Sequence, residues 1–189
     1  MKRIFWYFIV AILIIGVVLF ALYRERTGAM PAPQTSPEST STAPVQYTPS
    51  ATDSAPVGAH TYVNEQYGFS LQYPDGLAVE DRAEAAGEHT TTFENADGSQ
   101  SFQIFITPYT AKQIDKSRID LDTHGSAEGT PVEIVLHNGT HALAFFSDDA
   151  ILGRLREVWF LHGGYLYEVT TYDTLDSWLS GIMQTFTFN

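Results

Sequence analysis

The sequence contains no cysteine. That excludes disulfides, thiolate zinc centres, iron–sulfur clusters and thiol nucleophiles, and with them anchoring through an acylated cysteine. Stability must come from a hydrophobic core, which a segment of about 130 residues is long enough to build. Cationic side chains are also scarce: 10 Lys and Arg stand against 22 Asp and Glu. Residues 60–189 hold 6 Lys/Arg and 19 Asp/Glu, a formal −13, and residues 1–59 hold 4 and 3, a formal +1, which together give the −12 of the chain. So acidic a segment repels nucleic acid and anionic headgroups; it stays soluble and favours a cationic partner. Phosphate-cradling glycine loops are missing, both Walker and Gly-x-Gly-x-x-Gly. So is the Gly-x-Ser-x-Gly elbow, since Ser126 has His124 two residues before it and Glu128 two after. No internal repeat is present.

What is there falls into three regions. The N-terminus reads "MKRIFWYFIVAILIIGVVLFALYRER", and Ile4 to Tyr23 is a run of 20 uncharged residues. A helix of that length spans about 30 Å, the hydrocarbon thickness of a bilayer. Trp6, Tyr7 and Tyr23 suit the two interfaces. The run is too long for the apolar part of a cleaved signal peptide, and "GAMPA" (residues 28–32) is a poor cleavage site. Residues 1–26 are therefore expected to be an uncleaved signal-anchor. Lys2 and Arg3 on one flank balance Arg24 and Arg26 on the other. The free amino group tips the orientation towards N-terminus inside, placing the following domain outside the cytoplasm. In residues 27–59, 23 of 33 are Pro, Ser, Thr or Ala. This composition cannot bury enough surface to offset its ordering entropy, so a disordered spacer reaching about 30 Å or more is expected.

Residues 60–189 hold 18 aromatics against one in the spacer. "YGFSLQYPDG" (residues 67–76) places Tyr67, Phe69, Leu71 and Tyr73 on one face of a strand that Pro74-Asp75-Gly76 ends. Residues 91–109 read as two strands around Asn-Ala-Asp-Gly. "VEIVLHNGTHALAFF" (residues 132–146) reads as a hairpin with Asn138-Gly139 as a two-residue turn. Pairing His137 with Thr140 puts Val132, Ile134, Leu136, His141, Leu143 and Phe145 on the core face. "REVWFLHGGYLYEVTTY" (residues 156–172) is a second hairpin, turning on Gly163-Gly164. Val158, Phe160, His162, Tyr165, Tyr167 and Val169 then share one face, and Glu157, Trp159, Leu161, Leu166, Glu168 and Thr170 the other. Both faces are partly apolar, which predicts a central position covered on each side. One cover is the helix in "YDTLDSWLSGIM", with Leu175, Trp178, Leu179, Ile182 and Met183 on one face and Asp173 as its cap. The other is a short helix over residues 110–119, a loop or a partner protein. The fold class is α+β, an antiparallel sheet flanked by helices.

The chemistry-bearing residues form no catalytic pattern. His137 and His141 have zinc spacing, but a turn between them puts them on opposite faces. "DLDTHGSAEGTP" (residues 120–131) is a partial calcium loop. Asp120, Asp122, Gly125 and Glu128 match, whereas His124 and Pro131 stand where an oxygen ligand and a bidentate Glu belong. Asp148-Asp149 reads as a solvated loop tip. Glu168 faces Trp159 in the hairpin register; an apolar neighbour can raise a carboxyl pKa and fit it to act as an acid, but glutamates beside tryptophans are commonplace on sheets and the pair is given no catalytic role. No catalytic, cofactor-binding or metal residue is assigned.

Three stretches resemble the PsbP-like family: "YVNEQYGFSLQYPDG" (residues 62–76), its opening strand and Tyr-Pro turn; "HNGTHALAFF" (residues 137–146), its central hairpin; and "GGYLYEVTTYDTLDSWLSGIMQTFTF" (residues 163–188), its strand, amphipathic helix and final strand. Leu77 stands where the family commonly has tryptophan. The resemblance implies an α/β/α sandwich and a non-enzymatic accessory role; it transfers no functional residue. The functional expectation is a single-pass bacterial membrane protein holding a binding or accessory module outside the cytoplasm, with an envelope protein as partner. The alternatives are an envelope hydrolase using carboxylates or histidine, and a calcium-responsive module built on residues 120–131.

Overall fold

The computed structural model describes residues 60–189 and the dipeptide Val45–Gln46. The expected membrane anchor, and the spacer apart from that dipeptide, lie outside the described residues. Among the described residues no helix is long and apolar enough to cross a membrane.

In chain order the strands are β1 (Val45–Gln46), β2 (His60–Asn64), β3 (Phe69–Tyr73), β4 (Leu77–Ala83), β5 (His89–Asn95) and β6 (Ser101–Pro108). After helix α1 (Lys116–Asp122) come β7 (Ala127–Val135), β8 (His141–Asp149), β9 (Gly153–His162) and β10 (Tyr165–Tyr172), then helix α2 (Asp176–Met183) and β11 (Thr187–Phe188). Eight strands form one sheet in the order β1-β7-β8-β9-β10-β6-β5-β4, and β11-β3-β2 form a second. Every pairing is antiparallel except β1 with β7, where Val45 and Gln46 run parallel to Ile134 and Val135. Two residues of the presumed spacer thus extend the large sheet.

The α+β class holds, with a mixed layer in place of a plain α/β/α sandwich. One face of the large sheet is covered by the small sheet together with α2, the other by α1 and the strap that precedes it. The first interface is the main core. Tyr67, Phe69 and Leu71 are all buried there with Phe160, Tyr167, Leu179, Ile182 and Phe186, so the alternating face read from "YGFSLQY" is core. β4 was not read as a strand. Only Leu77 and Val79 alternate in "LAVEDRA", and its charges suit an outer edge, where they discourage pairing with other chains.

The second hairpin has the expected register: His162 pairs with Tyr165 and Trp159 with Glu168. Gly163 and Gly164 have φ of 59° and 85°, the left-handed pair a two-residue turn demands. It is central, flanked by β8 and β6. The first hairpin is shifted by one residue. Val135, not Leu136, pairs with His141. Gly139 N–H donates to Leu136 O and Leu136 N–H to Thr140 O, each at 2.9 Å. Gly139, at φ 83°, therefore sits in the bulge position of a three-residue loop. Because side chains alternate, the slip exchanges every partner across the pair. Ile134 and Leu136 join Ala142 and Ala144 in the main core, while Phe145 lies on the opposite face with Trp159. Val132, placed in the core from sequence, is 51% exposed.

Both helices start later than the periodicity suggested. Residues 110–115 are an irregular strap, and α1 begins after Asp115, whose Oδ1 accepts from Arg118 N–H at 2.8 Å. At the C-terminus Asp173 opens a 3-10 turn (Asp173–Leu175), and α2 follows with Leu175 as its uncapped N-cap. Asp173 instead lies 3.7 Å from Arg154, and Asp176 pairs with Arg156 at 2.9 Å.

A polar clamp joins the two sheets at the β4 edge. Asp81 Oδ1 accepts from Tyr62 OH at 2.7 Å and Thr91 Oγ1 at 2.7 Å, with His89 Nε2 at 3.2 Å. Burial opposes the charge on Asp81, but these hydrogen bonds outweigh it and hold the carboxyl below its ordinary value. A lowered folded value gives stability that is present above the ordinary 3.8 and is lost as pH falls through the folded value. Asp81→Asn is expected to cost about 1 kcal/mol at neutral pH, a modest figure because the carboxylate is half exposed. The difference from the parent should close in acid. Urea unfolding at pH 7 and pH 3 checks both parts.

Candidate ligand-binding cleft

The second face of the large sheet carries an unusual set of polar groups. The strict alternation of β8, β9 and β10 turns Ser147, Glu157, Trp159, Glu168 and Thr170 to the same side. The register sets Trp159 opposite Glu168 and Glu157 opposite Thr170, so the two glutamates are diagonal neighbours. Helix α1 lies over them. Ile119 packs into a small apolar cluster with Phe145, Trp159 and Leu166, against which Tyr109, Ile114 of the strap, Ala127, Leu143 and Leu161 also pack. Trp159 and Leu166 are 1% and 0% exposed, so the face that sequence offered to a partner is covered by the chain's own residues 109–122.

Beside this cluster the cover is incomplete. A cleft of about 310 Å³ opens between the end of α1 and the sheet, lined by Asp122, Thr123, His124, Glu157, Glu168 and Leu152 among others. The mouth is shaped where α1 ends. Thr123 Oγ1 donates to Ile119 O at 2.7 Å, and His124 and Gly125, at φ 54° and 76°, turn the chain back towards β7. Asp149 stands at the rim, its Oδ1 accepting from Ile151 and Leu152 N–H at 2.8 and 2.7 Å.

The two glutamates differ in how they are held. Glu157 is saturated: Ser147 Oγ donates to Oε1 at 2.8 Å, while Trp159 Nε1 and Thr170 Oγ1 donate to Oε2 at 3.1 and 2.7 Å. Burial nevertheless pushes its carboxyl above the ordinary range, and these three bonds and Arg156 offset that only in part. Glu168 accepts at Oε1 from Arg118 Nη2 at 3.4 Å, and its carboxyl lies within hydrogen-bonding reach of that of Asp122. Arg118 shares its charge with Asp122, four residues on along α1. Burial raises the Glu168 carboxyl well above its ordinary range; Asp122 adds to the rise, Arg118 opposes it, and Glu157 adds further. Three carboxyl groups thus lie near two guanidiniums, Arg118 beside Asp122 and Glu168 and Arg156 beside Glu157, in a largely dry site.

Of the residues singled out from sequence, Glu168 and Trp159 are brought together as expected. Asp120 and Asp122 lie on α1 and not in a loop: Asp120 pairs with Lys116 at 2.5 Å and Asp122 with Arg118. Glu128 is drawn away to Arg154 at 3.0 Å. His137 sits in the bulged turn and His141 opposite Val135, so the register first used to separate them is corrected. Glu157, Arg118, Ser147 and Thr170 were not recognised as site residues. The signal for Glu157 was present, because the hairpin register already set two glutamates on one face of a strand pair buried on both sides. Arg118 carried no such signal, because its partner Glu168 is 50 residues away.

No family profile matches the chain, and no curated protein matches it. Among solved structures it is similar to the solution structure of cyanobacterial PsbP (CyanoP) from Synechocystis. The two are 12% identical over 70% of this chain and 93% of that chain, with a TM-score of 0.49.

Proposed function

We propose that the chain is a membrane-tethered binding or accessory module of a bacterial cell envelope, PsbP-like in its folded domain, lying outside the cytoplasm and without catalysis of its own. The apolar run over residues 4–23, the Pro/Ser/Thr/Ala spacer and the resemblance of residues 62–76, 137–146 and 163–188 support the tether and the kind of domain. The observation that carries the binding role is the cleft under α1. Buried carboxylates without full compensation cost stability, and their retention in a concave site is a mark of function. The test is a thermal-shift panel of cationic, neutral and anionic small molecules on the full-length chain and on Glu168→Gln. At least one class should raise the melting temperature of the parent and not of the variant. A panel that shifts neither protein sinks the reading.

A hydrolase reading has one observation in its favour: Glu168 is held towards its protonated form beside Asp122 and His124 in the same cleft. Turnover of chromogenic esters or glycosides, abolished by Glu168→Gln, would favour it over simple binding. The calcium reading gains nothing from Asp120 and Asp122, which are neutralised by Lys116 and Arg118.

A further inference from the structure

We infer that the cleft under α1 receives a small organic cation, an alkylammonium whose nitrogen meets the carboxylate of Glu168 and whose carbon chain lies along Leu152 and Leu155. This rests on the binding-module reading above and gives its ligand a chemical class. The first support is an open acceptor. Glu168 is only 9% exposed and lines the cleft. Its Oε1 accepts one long hydrogen bond from Arg118, and the carboxyl also lies within hydrogen-bonding reach of the Asp122 carboxyl. An ionised carboxylate offers about four acceptor sites, so this one keeps room for a further donor. Glu157, with all three of its donors in place, orders the floor and does not compete. The second support is charge. Among the described residues Arg118 pairs with Asp122 and Glu168 and Arg156 acts on Glu157, so three carboxyl groups stand beside two guanidiniums and a ligand bringing one positive charge reduces the negative excess.

An ammonium group has three N–H donors. Besides Glu168, the hydroxyls of Thr123 and Thr170 line the cleft. Each already donates elsewhere, to Ile119 O and to Glu157, and keeps lone pairs with which to accept. Leu152, Leu155 and Tyr172 supply the apolar wall for a short chain, and a space of about 310 Å³ is the size of a small-molecule site. A metal ion fits less well. No three His, Cys, Asp or Glu side chains converge to hold one among the described residues, and Arg118 already contacts both Asp122 and Glu168. A sugar also fits poorly. Trp159 is 1% exposed, its Nε1 is turned to Glu157 and Phe145 packs on it at 5.1 Å, so its ring face is not left for stacking.

Calorimetric titration of the full-length chain tests this with n-butylammonium and 1,4-diaminobutane, against n-butanol as the neutral isostere and calcium chloride as the metal. Amine binding at one site per chain is expected. Glu168→Gln should weaken it about tenfold or more. Leu152→Trp, at a 42% exposed position on the cleft wall, should do the same by filling the space without disturbing the core. Glu80→Gln, which removes an exposed carboxylate on β4, should leave it unchanged. Equal weakening in Glu80→Gln would mean diffuse attraction and overturn the site. Butanol binding as tightly as butylammonium, binding by calcium alone, or no amine binding overturns the cation assignment. The binding reading stands in those cases if a ligand from the panel above still depends on Glu168, and falls with it if none does.

Discussion

Phe69→Ala is expected to destabilise the folded domain by about 3–5 kcal/mol, the cost of emptying a fully buried aromatic site. Phe69 is 0% exposed. Its ring stacks on Phe186 at 4.9 Å and meets Tyr167 edge-on at 5.9 Å. These three residues belong to β3, to the segment after α2 and to β10, so the small sheet, the C-terminus and the large sheet meet at this ring. Removing it leaves a cavity that paired strands on both sides cannot collapse into. Such a loss is a large share of the 5–15 kcal/mol typical of a domain. Urea unfolding should show a lower midpoint with an unchanged slope, because the surface exposed on unfolding is nearly the same. Phe69→Leu keeps most of the volume and should cost less than half as much. A Phe69→Ala loss below about 1 kcal/mol would mean that the small sheet does not pack on the large one as described.

Arg118→Met is the second large effect. Methionine keeps the aliphatic stem but removes the guanidinium, which lies over the Tyr109 ring at 5.4 Å and is, among the described residues, the charge paired with Glu168 and Asp122. Breaking a buried ion pair from one side costs about 3–5 kcal/mol. Arg118 and Asp122 keep roughly a fifth of their side-chain surface in solvent, which places the expectation at the lower end. The sign of the pH dependence follows from Glu168. Its folded pKa is raised, so its contribution is most favourable below the unfolded value and is lost as pH rises through the folded one. Without Arg118 that rise is larger. The deficit of Arg118→Met should therefore grow from mildly acid to alkaline pH and be smallest near pH 5. The double variant Arg118→Met/Glu168→Gln should recover part of the loss at pH 8, since an amide carries no charge to strand. A deficit independent of pH would show that Arg118 acts through packing alone.

The parts of the fold that were legible share one property: their signal is local. "YGFSLQY" alternates because one face of β3 is buried, and the Gly163-Gly164 hairpin has its register set by a two-residue turn needing two left-handed residues. The errors fall where local rules tie. Asn138-Gly139 serves a two-residue turn or a three-residue bulged loop, and the choice decides whether Phe145 faces the main core or Trp159. Periodicity over residues 110–119 missed that Asp115, five residues in, caps α1.

Composition and short-range pattern by themselves determined the acidity of residues 60–189, the apolar run and spacer before them, the antiparallel α+β class and the doubly buried central hairpin. These depend on counts and on periods of two and 3.6 residues. The tertiary structure alone decided that a second small sheet forms part of the cover, that Val45–Gln46 adds to the β7 edge, and that a cleft opens beside α1. It alone decided that Arg118, Asp122, Glu157 and Glu168 meet there. The reason is physical. A buried charge is defined by what surrounds it, and here the surroundings are drawn from a helix and two strands separated by tens of residues. No window along the chain contains them.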